Sequence, residues 1–211
     1  MKKSLFTLVI LLICTTSFFA YENADYLFRV LTTEAATETV SFSPVAEGID
    51  AFHSVTDLHF QEQKAVYTTS GTIENNRITD YELTLAFSGQ TITIRCRLEG
   101  DKIIYETTTT SGEISADEEI FILDNNIAWL WQLVYDYYKA EKKEHLTVFI
   151  PQLLVKDMTD TYDFTFEQTS EVEGMSNVYF TLNGQSGMLK VDGSGKVTMM
   201  LMAGVIMERV E

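Results

Sequence analysis

Apolar and polar residues alternate with a period of two along most of the chain from about residue 38 onwards. An apolar and a polar face on the same strand are typical of antiparallel sheet with one buried side. Strands and helices do not alternate regularly, which argues against a parallel nucleotide-binding sheet. The clearest runs of alternating apolar positions are Tyr81, Leu83, Leu85 and Phe87; Ile92, Ile94, Cys96 and Leu98; Tyr162, Phe164 and Phe166; and Val178, Phe180 and Leu182.

Turn residues separate these runs at intervals of about ten residues. Asn75-Asn76 stands between two extended runs, and asparagine tolerates the positive φ that a two-residue hairpin requires. Similar turns are predicted at Ser88-Gly89-Gln90, Gly100-Asp101, Asn183-Gly184 and Asp192-Gly193-Ser194-Gly195. We therefore predict a mainly β protein with one main α-helix: a curled antiparallel sheet, half-barrel or barrel, with the amphipathic helix packed on it.

The helical period occupies about residues 125–143, and its apolar positions cover more than half of the helix circumference. One stripe contains Ile127, Leu130, Trp131, Val134 and Tyr138, and a second face contains Trp129, Leu133 and Tyr137. Such a helix is expected to pack on the sheet with one side and to contact something else with the other, as a core element or a lid. The pattern also allows a short helix over residues 24–31.

Residues 1–20 have the pattern of a secretory signal peptide. Lys2 and Lys3 precede an apolar run over residues 5–14, which is short for a bilayer crossing, although an uncleaved anchor is an alternative. Cleavage after Ser17 fits the size pattern better than cleavage after Ala20, where Phe18 occupies a position for a small residue. Cleavage before Cys14 with lipidation of that cysteine is a third alternative, and bulky Ile13 departs from its pattern. We predict an exported protein of the periplasm or cell envelope, or a secreted one, with a single β-rich domain over residues 21–211.

The formal net charge is −16, and the predicted signal contributes two lysines and no acidic residue. This acidity argues against nucleic acid and anionic lipid headgroups as partners, because both would be approached against repulsion. Membrane attachment is predicted only if Cys14 carries lipid. Cys96 would be the one cysteine left after cleavage behind Cys14, and its place in an alternating run indicates a small core residue. The oligomeric state does not follow from the sequence.

Motifs of catalysis, metal binding and cofactor binding are missing. There is no HExxH or CxxC pair, no phosphate-binding glycine loop and no nucleophile elbow, since Gly184-Gln185-Ser186-Gly187 has its second glycine one position early. We therefore predict no metal, no cofactor and no catalytic residue. The many carboxylates, such as the dense Asp117-Glu118-Glu119, leave a carboxylate-based hydrolase as one hypothesis.

Two short motifs carry a resemblance. Leu123-Asp124-Asn125-Asn126 precedes the predicted helix, and Pro151-Gln152 ends an apolar run after it. In these motifs, and loosely over residues 38–211, the chain resembles a group of exported bacterial β-rich proteins of unknown function. The resemblance implies a shared β scaffold and carries no activity. In fold alone, a curled sheet with an apolar helix is similar to the half-barrels of periplasmic lipoprotein carriers, which hold acyl chains.

These observations support three functional hypotheses. The first is an exported binding protein that holds an apolar or lipid-like ligand between the curved sheet and the helix, since methionines near the C-terminus adapt to varied apolar ligands. The second is a non-catalytic structural or interaction protein of the cell envelope with a filled core. The third hypothesis is an enzyme, the carboxylate-based hydrolase, and the sequence favours a binding role over it. The predicted ligand-lining residues are Trp129, Leu133, Tyr137, Met199 and Leu201.

Overall fold

Fifteen β-strands form one continuous sheet in the computed structural model, which describes residues 21–59, 64–116, 119–124 and 126–210. The described residues also contain one α-helix, α1 (Leu130–Glu141), and a 3₁₀ helix over Pro151–Lys156. The strands are β1 (Ala24–Val30), β2 (Thr33–Ala46), β3 (Ile49–Leu58), β4 (Ala65–Glu74), β5 (Arg77–Phe87), β6 (Gln90–Glu99), β7 (Lys102–Thr107), β8 (Ser111–Ser115), β9 (Ile120–Ile122), β10 (His145–Phe149), β11 (Thr161–Val172), β12 (Met175–Leu182), β13 (Gln185–Val191), β14 (Val197–Met202) and β15 (Val205–Val210).

The strand order is β8-β7-β6-β5-β4-β3-β2-β1-β15-β14-β13-β12-β11-β10-β9. The two halves of the chain are antiparallel meanders, and they join where β1 pairs with β15. β9 and β10 form the one parallel pair among the strands that the structure describes. Because β9 at one end of this order also packs against β5, the sheet curls into a nearly closed, barrel-like wall. The predicted mainly β fold with one main helix is confirmed.

Short turns join most neighbouring strands, at the positions that the sequence indicates. Asn75 and Asn76 link β4 to β5 with φ of 52° and 57°, values that suit a two-residue hairpin. Asn183 and Gly184 link β12 to β13 in the same manner, with φ of 49° and 75°. These local turns fix the register of each hairpin, so that alternate residues face inward.

The helix lies inside the curled sheet. Trp129, next to its first turn, packs on Phe52 of β3 with ring centroids 4.6 Å apart. Trp131 packs on Phe180 of β12, in the other half of the barrel, at 5.0 Å. Tyr137 packs on Phe121 of β9 at 5.5 Å. Contacts with strands on several sides explain why the buried helix residues cover most of its circumference: Leu130, Trp131, Leu133, Val134, Tyr135 and Tyr137.

The helix is shorter than the predicted 125–143. Its first residue is Leu130, because the preceding segment forms turns that side chains of the barrel wall hold in place. It ends at Glu141, and the next residue, Lys142, has a φ of 57°, in the left-handed region that closes many helices. None of the helices in the described part of the chain has the length and apolar character that a bilayer crossing requires.

The prediction of a short helix over residues 24–31 is wrong, since residues 24–30 form strand β1 and Leu31 lies in the turn that follows. Tyr26 and Phe28 are buried at 7% and 6% exposure, whereas Leu27 between them is half-buried, as expected for a period of two. Pairing with β2 and β15 on both sides outweighs the local helical propensity. The predicted signal peptide and Cys14 lie outside the described residues, as do Asp117, Glu118 and Asn125.

Gly187 of β13 makes room for the aromatic cluster around the helix. A Cβ at this position would lie 2.2 Å from Cζ of Phe180, whose ring is fully buried. We expect Gly187→Ala to lower the free energy of unfolding by about 1–3 kcal/mol, the usual cost of overpacking a dense core. Urea denaturation measures this change. The neighbouring, exposed Ser186→Ala is the control and should remain within about 0.5 kcal/mol of the parent; equal effects would contradict the aromatic contact.

Candidate functional site

The structure does not gather the five predicted ligand-lining residues around one space. Trp129, Leu133 and Tyr137 are buried in the core, at 1%, 0% and 4% exposure. Met199 is only half-buried, and Leu201 is 38% exposed on the outer face of β14. Leu201 is therefore separated from the helix residues by the barrel wall, whereas Met199 lines a small space together with Ala128, next to the start of the helix.

Other methionines face the helix. Met200 and Met202 of β14 are buried at 2% and 8% exposure, and Met207 of β15 lies opposite Met200. The space between Ala128, Tyr26 and these strands is only about 10 Å³. That is about the room that one water molecule needs, so the contact between the start of the helix and this part of the sheet is close-packed.

A buried carboxylate of β2 holds the segment before the helix. Glu38 is 1% exposed and accepts hydrogen bonds from the Ser54 hydroxyl and, at 2.7 Å, from the backbone N–H of Ala128. Burial raises the pKa of Glu38 to about 8, although these bonds and one from the N–H of Trp129 lower it. The sequence contains a signal for this role, because Glu38 occupies an inward position between Ala36 and Val40 in the alternation.

A second buried carboxylate joins the two motifs that carry the sequence resemblance. Asp124 accepts hydrogen bonds from the Tyr81 hydroxyl at 2.7 Å, from the backbone N–H of Asn126 at 3.1 Å, and from the side-chain amide of Gln152. The side-chain amide of Asn126 in turn donates a hydrogen bond to the side-chain carbonyl oxygen of Gln152. Burial raises the pKa of Asp124 to about 6. The motif residues thus form one cluster that anchors the entry to the helix and the 3₁₀ helix to β5.

These two carboxylates are enclosed. Glu38, Ser54, Thr56 and Thr69 form a polar patch on the inward faces of β2, β3 and β4, and each is at most 3% exposed. Asp124 is fully buried. A substrate can reach neither carboxylate in this arrangement, and their hydrogen bonds account for a structural role as anchors of the helix.

A second polar cluster, which we call the Glu119 cluster, consists of Arg77, Glu119, Tyr137 and Lys143. Glu119 pairs with the Arg77 guanidinium, accepts from the Tyr137 hydroxyl, and lies 2.5 Å from Nζ of Lys143. Arg77 also donates to the backbone oxygen of Ile120 at 2.6 Å. Burial alone would raise the pKa of Glu119, but the bonds from Lys143 and Tyr137 and the charge of Arg77 bring that pKa below its ordinary value. The cluster ties β5, β9 and the helix together.

Beside the Glu119 cluster lies an open pocket of about 390 Å³, which we call the helix–sheet pocket. Its volume is within the range of small-molecule sites, roughly 300–1,000 Å³. The β4–β5 hairpin, β6, the segment before β9 and the helix all contribute to its walls. The lining residues are Glu74, Asn75, Arg77, Thr79, Leu98, Glu119, Tyr137 and Glu141. Three carboxylates against one guanidinium make the lining polar and acidic.

A larger space of about 590 Å³, which we call the outer groove, crosses strands β4 to β8. Charged residues on the outer faces of β5 and β6 line much of it and pair across the strands, Arg95 with Glu82 at 2.6 Å and Arg97 with Asp80 at 3.1 Å. Glu99 and Glu106 also line the groove and take part in no ion pair among the described residues.

The described residues offer no site for a metal ion, since no three His, Cys, Asp or Glu side chains are grouped to hold one. Cys96 is 3% exposed, and burial raises the pKa of its thiol to about 12. A thiol in this state is a poor nucleophile, so Cys96 acts as a core residue.

Comparison with solved structures shows a likeness of fold. The chain is similar to a beta-barrel-like protein from Brucella abortus, a domain of unknown function (DUF1849) whose crystal structure is known. The alignment covers 89% of this chain and 93% of the Brucella chain, with a TM-score of 0.50 and 10% sequence identity. No family model and no curated protein matches the sequence. At this identity the likeness shows the fold alone, and that fold is β-barrel-like.

Proposed function

We propose that this chain is an exported ligand-binding protein and that its ligand occupies the helix–sheet pocket. Export rests on the signal-like pattern of residues 1–20. Binding rests on one observation: a pocket of about 390 Å³ lies between the curved sheet and the helix, lined by side chains from four elements. Of the residues expected from the sequence to contact a ligand, Tyr137 lines this pocket.

The lining favours a small polar ligand. Glu74 and Glu141 stand at the pocket beside Glu119, and Leu98 and the Tyr137 ring add a limited apolar surface. A lipid-like ligand would instead need space within the core, where Trp129 and Leu133 are at most 1% exposed. It would bind only if the helix moved away from the sheet, and the close packing of the helix opposes that movement.

The proposal predicts that filling the pocket abolishes binding. Glu141 lies on the exposed end of the helix and lines the pocket, so Glu141→Trp should place an indole in the pocket at little cost to folding. Ligand-observed NMR with a library of small polar molecules, together with native mass spectrometry of protein purified without detergent, measures binding. We expect binders of the parent protein to lose their affinity for this variant.

Lys139→Trp is the matched control, because it adds the same ring to an exposed position of the same helix that does not line the pocket. It should bind as the parent does. Binders that tolerate Glu141→Trp would move the site elsewhere. A protein without a co-purified molecule and without any binder in the polar library would overturn the binding proposal.

The filled interior also supports a second candidate, a structural or interaction protein of the cell envelope. Residues of the helix, such as Trp131 and Val134, and of the surrounding strands, such as Phe164, are fully buried, so the core is complete without a ligand. Function would then reside on the acidic outer surface. This candidate would be favoured if the helix–sheet pocket binds nothing.

A further inference from the structure

The two edges of the sheet differ in their protection. At one edge, β9 is buried, with Ile120, Phe121 and Ile122 at most 2% exposed, and Arg77 caps the backbone oxygen of Ile120. At the other edge, β8 pairs with β7 on one side and with no described strand on the other. Because an unpaired edge leaves backbone N–H and C=O groups free, β8 is a site where another strand can add.

β8 lacks three of the features that usually block such an edge, namely a bulge, a proline and a lysine. Its pairing with β7 runs over Ser111 to Ser115 without a bulge, and the strand contains no proline and no lysine. Ser111, Glu113 and Ser115 are exposed on its outer side, whereas Ile114 is buried on the inner side. Its regular pleat can therefore continue into an added strand, although its five residues limit the length of the ladder.

We propose that the free edge of β8 binds an extended segment of a partner protein that carries basic residues. Strand addition of this kind derives affinity from backbone hydrogen bonds and specificity from alternate side chains. The outer groove begins at Ser111 and Glu106, next to this edge. Outward-facing side chains of an added strand would extend this surface.

The charges beside β8 select the partner. The lining of the outer groove has four carboxylates, Asp80, Glu82, Glu99 and Glu106, against two guanidinium groups, Arg95 and Arg97, so an excess of negative charge attracts a cation. Glu113 on β8 itself pairs with Lys102 and is 58% exposed. A second copy of this chain is disfavoured as the occupant, because each copy has a formal net charge of −16.

Hydrogen exchange measured by NMR tests this proposal on the intact mature protein. The probe is a short peptide of alternating lysine and threonine, which favours an extended conformation and presents lysines on one face. We expect alternate amides of β8 to become protected from exchange when the peptide is added, with no comparable change in β9. Added salt should weaken the effect.

Two controls distinguish backbone pairing that is selected by charge from non-specific electrostatic attraction. A peptide of alternating glutamate and threonine should give no protection, and the double variant Glu99→Lys and Glu106→Lys should bind the lysine peptide severalfold more weakly. Unchanged exchange in β8, or equal protection by both peptides, would overturn the proposal. Protection that rises with protein concentration in the absence of peptide would also overturn it, since it would identify a second copy as the occupant.

Discussion

Replacing Trp129 and Leu133 together by alanine is expected to unfold the protein at room temperature or leave it barely stable. Both side chains are at most 1% exposed, and Trp129 packs on Phe42 and Phe52 of the sheet. Truncation of a buried tryptophan costs about 3–5 kcal/mol and of a buried leucine about 2–5 kcal/mol. Together these losses are comparable to the whole stability of a typical domain, about 5–15 kcal/mol.

Urea denaturation of the two single variants measures the effect where the double variant does not fold. Leu201→Ala is the control, because Leu201 is 38% exposed on the outer face of β14; it should change stability by at most about 0.5 kcal/mol. Single variants that each cost less than about 1 kcal/mol would show that the helix is loosely held. That result would favour the hypothesis of an apolar ligand between the helix and the sheet.

The strands could be predicted because their signals are local. The alternation of Leu83 and Ile94 with polar neighbours and the Asn75-Asn76 turn are visible in a short stretch of sequence. The pairing of β1 with β15 is not, because it joins residues at opposite ends of the domain. For the same reason the sequence did not predict a strand over residues 24–30, because pairing with β2 and β15 determines this conformation.

The position of the helix inside the curled sheet also could not be predicted from the sequence. Its two apolar faces agree equally well with a lid over the sheet and with a helix enclosed by the sheet, and only the curl of the sheet distinguishes them. The inward face of β14 was similarly ambiguous, since apolar residues occupy both of its faces. A register shift between Lys190 and Val191 of β13 disturbs the alternation beside Thr198, and Met200 and Met202 face the core.

The candidate site was predicted only in part. Tyr137 belongs to the helix face that the sequence marks, and it does line the helix–sheet pocket. Arg77 and Glu119 are charged residues in turns or strand ends, where a solvated position is the usual outcome. Their pairing depends on β9 packing against β5, a contact between segments 42 residues apart. Such non-local pairs leave no pattern in a single sequence.

The free energy of unfolding is expected to fall as the pH rises, through Glu38. Burial raises its pKa from 4.5 to about 8, so the folded protein retains a proton that the unfolded chain has lost between these values. The folded state then binds more protons, and stability decreases with pH across this interval. Each pKa unit corresponds to about 1.4 kcal/mol, so the loss should reach several kcal/mol by about pH 9. Urea denaturation at a series of pH values measures it.

Glu38→Gln isolates this contribution, because an amide does not titrate and the acidic surface remains unchanged. Burial raises the pKa of Asp124 and of Asp136 to about 6, and the Cys96 thiol, whose pKa rises from 9.0 to about 12, contributes only at higher pH. The slope between pH 6.5 and 8 therefore reports mainly on Glu38. The variant should be close to the parent in stability at pH 5, because its carbonyl oxygen can accept from the N–H of Ala128 and its N–H₂ can donate to the Ser54 hydroxyl, as the protonated carboxyl does. It should show a shallower slope between pH 6.5 and 8. Equal slopes would mean that Glu38 is ionised in the folded protein. The N–H groups of Ala128 and Trp129, close to the positive end of the helix dipole, would then stabilise the carboxylate more strongly than burial destabilises it.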